Sequence, residues 1–433
     1  MNNSGNYIVN KYILKIVGVF HFNKEFYNNA INNGYQNLIN DDFEKNYYKD
    51  TYYPDVRKVM FLNETNQHKV IKKIFQAEDI VLKHEFITSK QISLKIIDSR
   101  IDLFENEFGL FSINLKINKE DILLTDLSDA SFLSRGFDNI VMSQKEVKWH
   151  QYIENKILLN QSTRGEGITI DDYSGSKYKT YLILDSNSFE NNTTDSRNFA
   201  LADLSTFNRI GTSESNDNNS FSVAYQSKIK KQGNISIFNG WTGQALLDSY
   251  TVVGDQILAN ENAIKTYDKT YFTIYIYCLY LKYTLFKYNY EISDFDEDKR
   301  EHFGDFIKKY YFPYISYNFL PTEIFNSIRE GLDIEKELVI IENKIKSIGE
   351  SIQEDQQKRT NKILGIVSVI TAIPQAIPVW DKINEIEKQL NWNPILFWSL
   401  MITLLLTIGI YLIVFIFGKK QVLKWKNSIL SKP

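Results

Sequence analysis

The sequence predicts an α+β protein in three parts: a large α/β body, a long stalk helix, and a C-terminal two-helix transmembrane hairpin. Three observations predict it. Roughly the first 320 residues hold short apolar runs that alternate with polar residues, as strands do, interspersed with helical periods. Apolar residues then recur at Leu338, Ile341, Ile345, Ile348 and Ile352, the 3–4 spacing of a heptad seam. Near the C-terminus two stretches, 363–380 and 394–418, carry no charge at all.

Composition narrows the classes. The chain has 433 residues and a net charge of −3, which leaves no electrostatic footprint for nucleic acid. Cys278 is its one cysteine, so neither a disulfide framework nor a cysteine zinc site is available within one chain, and a reducing compartment fits the body. The N-terminus, MNNSGNYIVNKYILKIVG, has no apolar core followed by a small-residue cleavage site, so no signal peptide is expected.

Within the body, NKYILKIVGVFHF and DVRKVMFLN read as strands. QISLKIIDSRIDLF and EFGLFSINLKI read as two more, joined by turn chemistry at ENEFG. NKEDILLTDLSDASFLSRGF reads as a helix capped by Asn118 or Asp121. KTYLILD, NISIFNG and SYTVVGD read as further strands, and residues 186–220 as a long Ser/Asn-rich loop. KTYFTIYIYCLYLKYTLFKYNY has an uncharged run too short to cross a bilayer, ended by Lys282, and reads as a buried tyrosine-rich helix. The acidic EISDFDEDKREHF after it reads as a solvated linker, with a divalent-cation sensing site at a subunit boundary as the alternative.

The stalk is expected from Pro321 to Lys362, interrupted at Gly331 and Gly349. On roughly the opposite face from the heptad seam, Glu350, Glu354, Gln357, Asn361, Ser368, Thr371 and Gln375 follow the same spacing and form a polar line. As a helix, 394–418 would be roughly 37 Å long and 363–380 roughly 27 Å, against a hydrocarbon core of about 30 Å. Basic residues precede the first run and follow the second, while the connection DKINEIEKQLNWN is slightly acidic. That asymmetry predicts a membrane protein with both ends cytoplasmic, a short outer loop and a basic tail from 419 to 433. Pro374, Gln375 and Pro378 would be costly against lipid, so the first run is expected to face the interior of a homo-oligomer and to line a pore. Acidic positions at its cytoplasmic end would favour cations.

Catalysis is poorly supported. His21, His68, His84, His150 and His302 are scattered without metal-ligand spacing, and neither a phosphate-binding glycine loop nor a Gly-x-Ser-x-Gly elbow occurs. The metal ligands, if there are any, are not identified by spacing.

The order of body, stalk, paired spans and lysine-rich tail, from YFPYISYNFLPTEIFNSIREGL onward, resembles the CorA family of two-span divalent-cation channels. That resemblance implies a pentamer, a lipid bilayer as surroundings, and Asn361, Ser368, Thr371 and Gln375 facing the pore. The family's Gly-Met-Asn is missing; the corresponding place reads VWDKIN. A divergent branch lacking that motif accompanies type III CRISPR systems. Resemblance to it implies an antiviral membrane effector gated by a nucleotide second messenger, such as an adenylylated S-adenosylmethionine, bound to the body. For such a ligand the best stretch is SIFNGWTGQALLD, where Trp241 could stack on a base, Asn239 read its edge and Thr242 assist, with Arg197 or Arg209 meeting a phosphate. The competing reading of that stretch is a tight turn with a core tryptophan. Two other functional readings stand beside the gated channel: a magnesium transporter with a substituted loop motif, and a non-conducting membrane-anchored sensor or scaffold.

Overall fold

The computed structural model describes residues 7–38, 42–60, 68–87, 89–105, 108–143, 145–161, 177–189, 192–207, 231, 233–291 and 297–390, with 395, 398–399 and 402–403. The chain divides into two compact units, Met1–Glu342 and Asn343–Pro433.

The first unit is built on one sheet. In chain order its elements begin with β1 (Tyr12–His21), α1 (Phe26–Asn32), β2 (Gln36–Asn37), α2 (Asp42–Thr51) and α3 (Pro54–Met60). Next come β3 (His68–Lys83), β4 (Gln91–Phe104), β5 (Phe108–Ile117), α4 (Leu124–Arg135), β6 (Ile140–Met142), β7 (Glu146–Lys148) and α5 (Trp149–Lys156). They continue with β8 (Lys179–Asp185), α6 (Thr194–Thr206), β9 (Asn234–Ile235), β10 (Trp241–Leu246) and β11 (Ser249–Gly254). Then follow α7 (Glu261–Lys265), a π-helix (Thr266–Tyr271), α8 (Phe272–Glu291), α9 (Glu297–Tyr310) and α10 (Phe319–Gly331), before α11 (Ile334–Leu390).

The strand order is β7-β6-β3-β4-β5-β1-β8-β11-β10-β9, with β2 added on β3. Among the described pairings β8 with β11 is parallel and the rest are antiparallel. Alternation along the strands separates two faces. One is apolar: Leu14 and Ile16 of β1, Ile113 and Leu115 of β5, Leu182 and Leu184 of β8 and Val253 of β11 join a single core cluster with side chains of α4, α5 and α6. Register breaks keep this face continuous. Between Ile96 and Asp98 the β4–β5 register shifts by one residue, so even-numbered Leu94 and Ile96 share a face with odd-numbered Ile101 and Leu103. A second shift, between Ile74 and Glu78, does the same for Ile71 and the pair Ile80 and Leu82 of β3.

The other face is mixed: Lys15, Arg100 and Asp102 lie among buried Val17, Val19, Leu110, Ile183 and Val252. It meets the π-helix and α8, where Phe104 stacks on Tyr280 and Tyr181 packs edge-on to Phe272. The tyrosine-rich helix is buried as expected: Ile274 to Leu281 are almost fully enclosed.

Several expectations change. DVRKVMFLN is not a strand but contains α3, which starts at Pro54, where a fixed φ and a missing N–H suit the first turn of a helix. The expected loop 186–220 contains α6, held by a capping box between Thr193 and Ser196. NISIFNG pairs only at Asn234–Ile235. In the stalk, helix breaks at Leu332–Asp333, where Asp333 takes a left-handed φ of 55°, and runs on unbroken through Gly349.

The C-terminal transmembrane hairpin is overturned, and with it the membrane-protein description and the multi-pass placement in an inner membrane. Among the described residues no helix is long and apolar enough to cross a membrane. The expected outer loop after Trp380 is instead helical as far as Leu390, so 363–380 is an internal stretch of the 57-residue α11 and not one arm of a hairpin. Its charged continuation through Asp381, Lys382, Glu385, Glu387 and Lys388 extends the same helix. Most of 394–418 lies outside the described residues.

Candidate functional site

Because β8 and β11 run parallel, their carboxyl ends lie side by side, the position where sheets with parallel strands gather ligand-binding loops. Three segments meet there: the residues before β1, those after β8 and those after β11. Asp185, the last residue of β8 and only 5% exposed, holds them together. Its Oδ1 accepts from the backbone N–H of Asn187 at 3.0 Å and of Gln256 at 3.2 Å, and its Oδ2 from that of Leu258 at 3.1 Å. These bonds hold Gln256 in a left-handed conformation, φ 54°, which a non-glycine residue adopts only when its surroundings enforce it. From the other side the Lys11 ammonium donates to the carbonyls of Leu258 and Ala259, both at 3.2 Å.

The result is a cleft of about 310 Å³ lined by Asn10, Lys11, Asp185, Asn187, Ser188, Gln256 and Ala259. That is the lower end of the usual range for ligand pockets, about 300–1,000 Å³. Its chemistry is amide-rich and carries one cation. Lys11 bonds neutral carbonyls, and no described carboxylate pairs with it. Asp185 faces three backbone donors, so its negative charge is already screened by the loop it shapes.

The residues expected from sequence to meet a ligand gather at the same end of the sheet, though not in the expected roles. Arg197 of α6 is buried, and its guanidinium donates to the Asn192 carbonyl at 3.1 Å, Asn192 Oδ1 at 2.7 Å, Thr194 Oγ1 at 3.3 Å and the Asn239 carbonyl at 2.8 Å. It ties the loop after β8 to the turn before β10. Trp241 is buried and its indole N–H donates to the Tyr267 hydroxyl at 2.5 Å, so its ring belongs to the core. Thr242 is buried and shares a 3.1 Å hydrogen bond with Ser236. Asn239 is exposed. Arg209 lies outside the described residues. Lys11, Asp185, Asn187 and Gln256 were not recognisable in the sequence; they are single residues far apart in the chain, joined only by topology.

A second cluster occupies the charged face of the sheet. Arg100 makes two bonds to Asp102, at 2.9 and 2.7 Å, and a third to Thr273 at 3.0 Å. His68 Nε2 lies 3.0 Å from Asp102 and its Nδ1 lies 3.0 Å from the Val59 carbonyl. Burial alone would raise the Asp102 pKa, but Arg100 and the bond from His68 hold it below the usual carboxylate range. Lys15 pairs with Asp268 of the π-helix at 2.8 Å and sits 4.0 Å over the Phe272 ring. Asp268 is likewise held low against its burial, by Lys15, then Lys72 and Arg100. Lys72 pairs with Asp98 at 3.1 Å, and Lys269 with Glu44. Cations are matched by carboxylates, and both nitrogens of His68 are engaged, so this cluster holds no poised general base.

In the second unit Glu350, Glu354, Gln357, Asn361 and Ser368 are exposed on α11. Lys358 lies 3.6 Å from Glu354, and Ser368 Oγ donates to the Leu364 carbonyl at 2.8 Å. Thr371 and Gln375 lie on the helical backbone, with side chains outside the description. Among the described residues no group of three or more His, Cys, Asp or Glu is placed to hold a metal ion.

No protein-family model matches the chain, and no curated protein or solved structure is similar to it.

Proposed function

We propose that the protein is a binding protein rather than an enzyme: a sensor whose first unit takes a small anionic ligand in the cleft at the carboxyl ends of β8 and β11. One observation carries the reading. Three loops from separate parts of the chain converge there on a polar cleft whose single cation, Lys11, is matched by no described carboxylate. A mononucleotide is the class that fits best. Its phosphate answers the Lys11 ammonium, and Asn10, Asn187 and Gln256 offer the paired donors and acceptors that read a base edge. The volume suits one nucleotide unit and argues against full enclosure of a two-part conjugate such as an adenylylated S-adenosylmethionine.

The long helix is the output side of the proposal. Ile363, Leu364 and Ile366 are more than half exposed on the described chain, a face suited to cover by a partner. We assign a second copy of the chain as its partner.

Calorimetric titration of the full chain with AMP and with inorganic phosphate tests the reading. AMP is expected to bind, and Lys11→Met to weaken it roughly tenfold or more, the effect of losing one charge-assisted hydrogen bond. Absence of heat with both probes at millimolar concentration overturns the assignment.

A further inference from the structure

One wall of the cleft is thinly anchored. Between Asp255 and Asn260 only Leu258 is fully buried, and α7 buries no residue. This segment is gripped by two lysines four residues apart, Lys11 just before β1 and Lys15 within it. Lys11 holds its beginning through the carbonyls of Leu258 and Ala259. Lys15 holds its far end, donating at 3.0 Å to the Asp268 carbonyl and pairing at 2.8 Å with the Asp268 carboxylate. The two grips thus fall at the two ends of one segment, 258–268.

The grips differ in kind. Lys15 is 4% exposed and holds a charged partner, and the π-helix around that partner is further fixed by Tyr181 donating to the Tyr267 carbonyl at 2.6 Å and by Trp241 donating to the Tyr267 hydroxyl. Lys11 is exposed and holds neutral carbonyls. Both sets of bonds are charge-assisted through the ammonium, but an anion adds the attraction of a full opposite charge, which the carbonyls of Leu258 and Ala259 do not offer. An anion in the cleft therefore competes successfully for Lys11 and cannot compete for Lys15.

We propose that Lys11 is a ligand-operated latch: an anion bound in the cleft draws the ammonium away from Leu258 and Ala259 and releases Ala259–Lys265, which swings on the fixed π-helix. Asp185 keeps its bonds to Gln256 and Leu258, so the release begins after Leu258. Short π-turns inside helices are frequent at functional sites, and this one sits where the moving and fixed parts join. The proposal deepens the sensor reading and rests on it for the identity of the trigger, but the latch itself is testable without a ligand.

The measurement is amide hydrogen exchange by mass spectrometry on the full chain. In Lys11→Met without additive, 259–265 is expected to exchange about tenfold faster than in the wild type while 266–271 keeps its protection; Lys11→Arg, which retains donors at that position, keeps the wild-type rate. In the wild type, AMP produces the same local acceleration, and in K11M it adds nothing. Unchanged exchange in K11M overturns the latch whether or not AMP binds, and so does AMP binding without acceleration in 259–265. Failure of AMP and phosphate to bind, with K11M behaving as expected, overturns the sensor reading and leaves the latch standing.

Discussion

The two faces of the sheet use the same strands and are stabilised in opposite ways. On the apolar face, Leu14, Ile113, Leu182 and Val253 gain by exclusion from water, and each contributes in proportion to the volume it fills. Across the same backbone, Arg100, Asp102, His68, Lys15 and Asp268 gain only as matched sets, because each charge has been taken out of water and is tolerable only with its partner. The apolar face therefore degrades gradually under substitution. The charged face fails abruptly, and its geometry fixes how the π-helix and α8 seat on the sheet.

The sharpest break of that comparison is Asp102→Ala. It strands Arg100 and His68 in the interior and is expected to cost about 3–5 kcal/mol in urea unfolding. Replacing Arg100 and Asp102 together by methionine and leucine should recover most of the loss; a double mutant as unstable as the single one would show that the pair is not acting as a unit. On the apolar side, Leu182→Ala is expected to cost about 3 kcal/mol and Ile16→Val about 1 kcal/mol, a graded series with no such rescue. Acid acts on the charged face, and also on Asp248, which Lys179 and Arg135 hold below the usual carboxylate range. Asp102 and Asp268 fold with pKa values below their ordinary 3.8, so their contribution is complete above about pH 5 and lost as pH falls through the folded values. The urea midpoint should rise slightly from pH 7 to 5, because burial lifts the Asp129 pKa to about 6, and drop below pH 4, less steeply in Asp268→Asn. Cys278 of α8, buried with its thiol pushed far up by that burial, should resist iodoacetamide until the helix leaves the sheet, which makes alkylation a direct readout of that docking. At the small end, Asp305→Ala, which removes an exposed pair with Lys308, should leave the melting temperature unchanged.

Much of the sheet was legible. KTYLILD and SYTVVGD declare strands because nearly every residue is apolar or β-formed, as a strand covered on both sides requires. QISLKIIDSRIDLF showed its period, but not that Asp98, Arg100 and Asp102 would face a second packed layer instead of water; alternation reports two faces and does not say what covers the polar one. DVRKVMFLN misled because Val56, Val59 and Met60 fit a short apolar run as well as a helical face, and Pro54 was the unused clue. WTGQAL was missed as a strand because Gly243 beside Trp241 looked like turn chemistry, whereas it pairs with Val252. In the C-terminal region, the absence of charge spoke only about solvent preference, while the acidic and basic residues after Trp380 proved compatible with continued helix. The candidate cleft was the least legible feature. Arg197 and Asn239 lie at the same end of the sheet but do not line the cleft, whose residues come from three loops brought together by the parallel pairing of β8 with β11.

A sheet this wide invites a different hazard, one that its outermost strands address. Rows of unpaired amides at either margin could recruit strands from neighbouring molecules and extend indefinitely. Here the margins are β7, three residues long, and β9, two residues long. Neither offers enough consecutive free groups to template another chain, and charged Glu146 and Lys148 stud one of them. Among the described residues the longer outer edge of β3, paired only at Ile71–Lys72 and Val81–Lys83, is interrupted instead by the register break between Ile74 and Glu78.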